Sequence, residues 1–236
     1  MPKCFLPLSL GVLHSASMNF RVARILHAST PDANWDKPLW APSETLELRN
    51  FMGERPAHFP KVQARLMYDA EALQGIFRVE DRYVRAVAGK NQDGVCRDSC
   101  AEFFFVTGTD LGRGYFNLEM NCGGIFLFHW QRASGKENRV LTEEECARVT
   151  VVSTLPRRVE PEVAEPTTWC VEFRIPFSLL EGQTTLTKPG PGVSWRANFY
   201  KCGDQTSHPH WLTWAPVGFP RPRFHLPEFF GTLEFS

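Results

Sequence analysis

The sequence predicts an all-β fold: a sandwich of two antiparallel sheets, jelly-roll-like, with very little helix. Three observations predict it. Short apolar segments alternate with polar residues at a period of two, as a strand with one buried face requires. Clusters of turn formers fall between them, with Asp110, Gly112 and Gly114, Gly123 and Gly124, and Pro189 to Gly192 as the clearest. Aromatic residues reach 13%, with 19 Phe and 7 Trp, and these side chains suit a pleated, half-buried surface.

Strands are expected in order at 20–26, 45–48, 62–68, 75–79, 101–106, 115–120, 125–130, 149–153, 169–175, 195–200 and 232–235. The seventh decade of the hundreds is the plainest case: Trp169, Val171, Phe173 and Ile175 share one face, and Pro176 ends the ladder because it has no N–H to give. Two helical pieces are expected. Thr142 with Glu145 makes a capping box for 142–147, and 177–180 forms one turn stopped by Gly182. About ten short strands with turns between them pack as two sheets face to face.

Composition excludes several function classes. Lys+Arg 26 balances Asp+Glu 26, whereas a nucleic-acid binder needs a basic excess to track phosphates. The 43% hydrophobic and 22% charged content is that of a globular chain. No window reaches the ~20 apolar residues of a membrane helix. Residues 1–19 are set apart as a leader or extra N-terminal segment, and 20–236 read as one domain acting as a monomer. Seven cysteines, an odd number with no zinc-type spacing, read as reduced thiols and favour the cytoplasm. Residues 1–17, if they are a signal peptide, would instead send the protein to the periplasm or outside.

Three strands place hydrogen-bonding side chains on the face opposite their apolar one. Tyr115, Asn117, Glu119 and Asn121 oppose Phe116, Leu118 and Met120. Glu102 opposes Ala101, Phe103 and Phe105, and Arg196, Asn198 and Tyr200 oppose Trp195, Ala197 and Phe199. Amides, Tyr and acids together suit a polyhydroxylated ligand if those strands are neighbours. The stretch 202–230 adds Asp204, His208, His210, Trp211, Trp214, Phe224 and His225 among prolines. It is too apolar to hang in water, and aromatic faces beside polar groups suit sugar rings.

An enzyme is the alternative. His208, His210 and His225 could join a metal on the polar face, and Glu102 with Glu119 could form a glycosidase pair. No hydrolase, phosphate-loop or dinucleotide motif supports it. A haem site would need axial His and Met, and Met120 faces inward with no partner histidine.

The ordered motifs around Asp98 and Glu102, at 114–121, at 169–176, at 195–202, at 212–216 and at 224–231 resemble family 9 carbohydrate-binding modules, in the stand-alone bacterial form used for polysaccharides. The resemblance covers about 20–236. It implies non-catalytic binding of a poly- or oligosaccharide in support of glycan utilisation, with no cofactor required and structural calcium nearby. It assigns sugar hydrogen bonding to Glu102 and a clamp position to Phe224, the expected stacking platform; the polar strand faces add Tyr115, Asn117, Glu119, Asn198 and Tyr200, and the 202–230 stretch adds Trp214 and His225, as residues bordering the ligand. It also implies two clamp tryptophans, which fall on Val95 and Phe224, and an arginine, which falls near Phe116. The clamp is therefore absent as two tryptophans.

Overall fold

The structure, a computed structural model, describes residues 18–27, 29–133 and 137–236; residues 1–17, the expected leader, lie outside the described residues. The chain opens with β1 (Asn19–Arg24), β2 (Leu46–Glu47), β3 (Asn50–Phe51), β4 (Lys61–Tyr68), β5 (Ala72–Asp81) and β6 (Val84–Ala86). Then come β7 (Cys100–Val106), β8 (Tyr115–Asn121), β9 (Phe126–Ala133), β10 (Glu137–Val140), α1 (Glu143–Cys146) and β11 (Thr150–Ser153). The last part holds β12 (Val159–Val163), β13 (Thr167–Pro176), α2 (Phe177–Glu181), β14 (Ser194–Cys202), β15 (Trp211–Thr213) and β16 (Gly231–Phe235). Every expected strand is present. The strands the sequence does not announce are β3, β6, β10, β12 and β15, of two to five residues each.

Local chemistry explains the ends. In α1 the Thr142 hydroxyl accepts from the Glu145 N–H at 3.2 Å, and Glu145 Oε2 accepts from the Thr142 N–H at 2.9 Å, which closes the capping box. Helix α2 starts directly after Pro176 and ends at Gly182. In the turn between β7 and β8, Asp110 Oδ1 accepts from the Gly112 N–H at 2.9 Å. Gly114 follows at φ 79°, where an added Cβ would lie 2.5 Å from the Gln131 carbonyl oxygen, so only glycine fits.

The all-β class holds, but the expected pair of separate antiparallel sheets needs correction. The main hydrogen-bonded path is continuous and mixed, in the order β10-β9-β8-β7-β14-β16-β1-β4-β5-β13-β11. Strand β1 joins its two arms: residues 19–22 run parallel to β16, and Ala23 and Arg24 run parallel to β4. A strand from the start of the chain that pairs beside the last strand has no hairpin to impose an antiparallel sense.

The two arms face one another across the core. Phe103 on β7 lies 5.6 Å from Phe173 on β13, and Phe77 on β5 lies 5.8 Å from Phe199 on β14, centroid to centroid. The apolar faces predicted from alternation all point here. Phe116, Leu118 and Met120, and likewise Trp195, Ala197 and Phe199, are 1% exposed or less.

The outer faces are covered as well. Ile25, Ala33, Trp35 and Trp40 pack over Met67 and Ile76 on one arm. Met52, Val95, Phe224 and Phe230 pack over Phe104, Tyr115 and Tyr200 on the other. The polar faces read from sequence as an open groove are therefore largely roofed, and that roof shapes the site.

Candidate functional site

Strands β8, β7 and β14 are adjacent, as the polar-face reading required. Glu102 sits directly across from Glu119 on one side and from Tyr200 on the other. Loops from 95–97 and from 202–230 cover most of this face. What stays open is a cleft of about 180 Å³ lined by Glu102, Glu119, Asp204, Trp211, Phe224 and His225, with Cys96, Cys202, Pro222 and Arg223 completing the wall.

Neutral donors hold the acids. The Cys202 thiol donates to Glu102 Oε1 at 3.0 Å. Asn117 donates its amide to Glu119 Oε1 at 2.9 Å and accepts from Gln131 at 2.9 Å. The Trp211 indole N–H donates to Asp204 Oδ1 at 2.8 Å. His225 Nδ1 faces the Tyr115 hydroxyl at 2.9 Å and the Gln131 amide at 3.2 Å. Burial lowers the His225 ring to about 4, so it is neutral near pH 7, and Nδ1 held as acceptor leaves the proton on Nε2.

Phe224 stacks on Tyr200 with centroids 4.2 Å apart and planes 13° from parallel, and the Tyr200 hydroxyl donates to the Phe224 carbonyl at 3.2 Å. One ring face is thus fixed by Tyr200 while the residue still lines the cleft.

The predicted site residues divide into three groups. Glu102, Glu119, Phe224 and His225 line the cleft. Tyr115, Asn117 and Tyr200 stand behind it as hydrogen-bond or stacking partners. Asn198 and Trp214 do not belong to it. Asn198 is spent on the backbone of Ala215, donating to its carbonyl at 3.1 Å and accepting from its N–H at 2.9 Å. Trp214 packs edge-on against Phe20 and Phe199 in the core. Asn198 does lie opposite the core face of Trp195 and Phe199, but the covering segment claims it, while Trp214 turns into the core.

Residues the sequence reading did not assign to the site are Cys96, Asp204, Cys202, Pro222, Arg223 and, behind the wall, Gln131. The proline-stiffened stretch was the available signal for four of them. Gln131 had a weaker one: it continues strand β9 opposite Tyr115.

Burial dominates the electrostatics. Glu102 and Glu119 are 2% and 7% exposed. Burial first, then the Glu119 charge, pushes the Glu102 carboxyl well above the usual range; burial, then Asp204, pushes Glu119 up to about 7. Two facing carboxyls out of water do not both ionise readily. A raised carboxyl contributes its stability in full below pH ~4.5 and loses it as pH rises through about 7. Glu119→Gln is therefore expected to melt several degrees above the parent at pH 8, up to about 10 °C, with most of the gap gone by pH 5. Thermal melts at the two pH values test it; a gap that does not depend on pH would refute the assignment.

The histidine metal set is not assembled. His210 is buried, its Nδ1 donating to the His208 carbonyl at 2.9 Å and its Nε2 facing Lys201 Nζ at 2.7 Å. His208 stacks on Tyr83 at 3.6 Å, and His225 sits with Tyr115 and Gln131 in the cleft wall. Met120 is wholly buried in the core. Among the described residues the one close grouping of metal-type ligands is Cys100, Glu102 and Cys202. It does not fit calcium, which takes six to eight oxygens. The hydrogen bond with neighbouring Cys100, and then burial, also raise the Cys202 thiol well above its usual range, which works against a thiolate ligand.

A model of carbohydrate-binding family 9 matches residues 42–235. The chain belongs to carbohydrate-binding family 9. Solved structures agree with the fold. A Bacteroides uniformis protein, provisionally described as carbohydrate-binding, is 28% identical with TM-score 0.83, covering 94% of this chain and 100% of its own. A family 9 module from Caldicellulosiruptor kristjanssonii in complex with cellotriose is 14% identical with TM-score 0.60, covering 92% of this chain and 93% of that one. The same kind of module in complex with glucose gives 14% and 0.60, covering 92% and 95%. No curated protein matches this chain significantly.

Set against the family 9 pattern, the clamp positions differ in fate. Val95 is wholly buried beneath the cover, and Phe116 is core, stacked on Phe105 at 5.2 Å. Phe224 and Glu102 line the cleft. Trp211 also lines it and supplies the second aromatic wall that Val95 does not.

Proposed function

We propose that the protein binds carbohydrate without catalysis, at the cleft between Glu102, Glu119, Trp211, Phe224 and His225, as one monomeric binding domain serving glycan use. The observation that carries this reading is the cleft itself: two aromatic walls over buried acids, on the polar face of β7 and β8, in a family 9 fold. Sugar rings pair such a surface with their C–H faces while hydroxyls meet the acids. The bound glucose and cellotriose of the family 9 modules with the same fold support a glycan ligand of the same kind here. The reading requires no cofactor. Reduced thiols favour the cytoplasm, as the six described cysteines carry free thiols. Among the described residues no helix is long and apolar enough to cross a membrane.

A glycan array followed by calorimetry on the best ligand tests the proposal. Trp211→Ala is expected to weaken that ligand about three- to tenfold, since an aromatic contact contributes ~0.5–1.5 kcal/mol beyond burial. Full affinity in this variant would put the ligand elsewhere. Turnover of the bound glycan would replace binding by catalysis.

A further inference from the structure

The geometry points to an amino sugar as the preferred ligand, its ammonium held between Glu102, Glu119 and Asp204 and its ring against Trp211 and Phe224. This rests on the carbohydrate reading above and narrows it. Three carboxyls line one cleft of about 180 Å³, and among the described residues none of them forms a salt bridge. Each is held instead by a neutral donor: the Cys202 thiol, the Asn117 amide or the Trp211 indole.

The second oxygens of Glu102 and Glu119 accept no hydrogen bond from any described residue, although both side chains are more than nine-tenths buried and line the cleft. Buried acids are ordinarily paired with a cation. A hydroxyl can donate to these oxygens but brings no charge, so the two facing carboxyls still resist ionising together. An ammonium brings three donors and a positive charge set between the acids, which favours their ionised form. An acidic sugar would add a fourth carboxyl to the same space. A bare cation would satisfy the acids and leave the two aromatic walls without a partner.

Three β-linked glucose-type dimers that differ only at carbon 2 separate these cases: the glucosamine dimer, its N-acetylated counterpart and cellobiose. At pH 7 an amine of ordinary α-amino basicity, near ~7.7–8.0, is mostly protonated. Calorimetry is expected to show the glucosamine dimer binding at least about tenfold tighter than either of the others, the range for a hydrogen bond to a charged group. In Glu102→Gln with Glu119→Gln the ratio between amine and hydroxyl ligands should fall toward one. Should that double variant fail to fold, Glu119→Gln alone carries the same comparison. Equal or tighter binding of cellobiose or the N-acetylated dimer overturns the inference and leaves carbohydrate binding standing. Competition by ethanolamine as strong as by the glucosamine dimer also overturns it, in favour of a plain cation site. Absence of binding to any glycan on a broad array removes both readings.

Discussion

Glu102→Ala is expected to lose carbohydrate affinity by about ten- to hundredfold while melting no lower than the parent by more than a few degrees. The affinity term comes from the acceptor. Glu102 lines the cleft with Oε1 tied to Cys202; a cationic ligand would hold its carboxyl ionised, and a hydrogen bond to a charged group is worth ~1.5–3 kcal/mol. The stability term nearly cancels. Lost packing around the side chain is set against relief of a carboxyl that faces Glu119 in a buried register pair. Calorimetry with the best glycan and a thermal melt on the same sample check both halves. Unchanged affinity would remove Glu102 from the site. A collapse in melting temperature would make it a structural residue.

The largest loss of stability is expected at the other end of the core, in Asp81→Asn. Asp81 and Lys201 extend the inner faces of β5 and β14 beyond Val79 and Phe199, where they meet between the two arms. Lys201 Nζ lies 3.3 Å from Asp81 Oδ2, and both side chains are wholly buried. Asp81 also accepts from the Arg82 N–H at 2.9 Å and the Trp169 indole at 3.3 Å, with His58 at 2.7 Å. Lys201 in turn donates to the Cys202 carbonyl at 2.9 Å and faces His210 Nε2.

Burial pushes the Asp81 carboxyl up, but the Lys201 charge and the His58 hydrogen bond outweigh it and hold it below the usual range. Its contribution is therefore complete above pH ~4 and drains only as pH falls through the lower native value. Removing the charge leaves a buried ammonium without a counter-ion, which costs about 3–5 kcal/mol. Chemical denaturation should show that loss at pH 7. The double variant Asp81→Asn with Lys201→Met should recover a good part of it, since no uncompensated charge remains. A single variant within about 1 kcal/mol of the parent would mean that the pair does not hold the arms together.

This plug shows how far a strand pattern can be read. Phe77, Val79 and Asp81 share one face by alternation, as do Trp195, Ala197, Phe199 and Lys201, yet a charged residue at the end of an apolar run reads as the point where the strand meets water. Here the two charges bury one another. Each strand carries only half of that information, and only their approach across the core supplies the rest. Val95 fails in the same way from the other side. The family pattern puts a clamp tryptophan at its place, valine already breaks that clamp, and packing beneath the cover removes the position from reach.

The sequence alone determined the expected strands, the two helical pieces, the face of each site strand that points to the core, and Glu102, Glu119, Phe224 and His225 as candidates. The strands, helices and faces follow from local rules: the period of a strand, the chemistry of a turn, a capping box; Phe224 came from the family resemblance and His225 from the composition of 202–230. The tertiary structure alone decided the mixed path through β1, the roofing of both outer faces, and the withdrawal of Asn198 and Trp214. It also decided the convergence of Asp204, Trp211 and Arg223 on Glu102. The reason is physical. Alternation tells which side of a strand a residue occupies but not what will be laid over that side. The segment from 202 to 230 is long, apolar and proline-stiffened, and its lowest free energy comes from covering a particular sheet face. That choice depends on the shape of residues distant in the chain, so no local pattern records it.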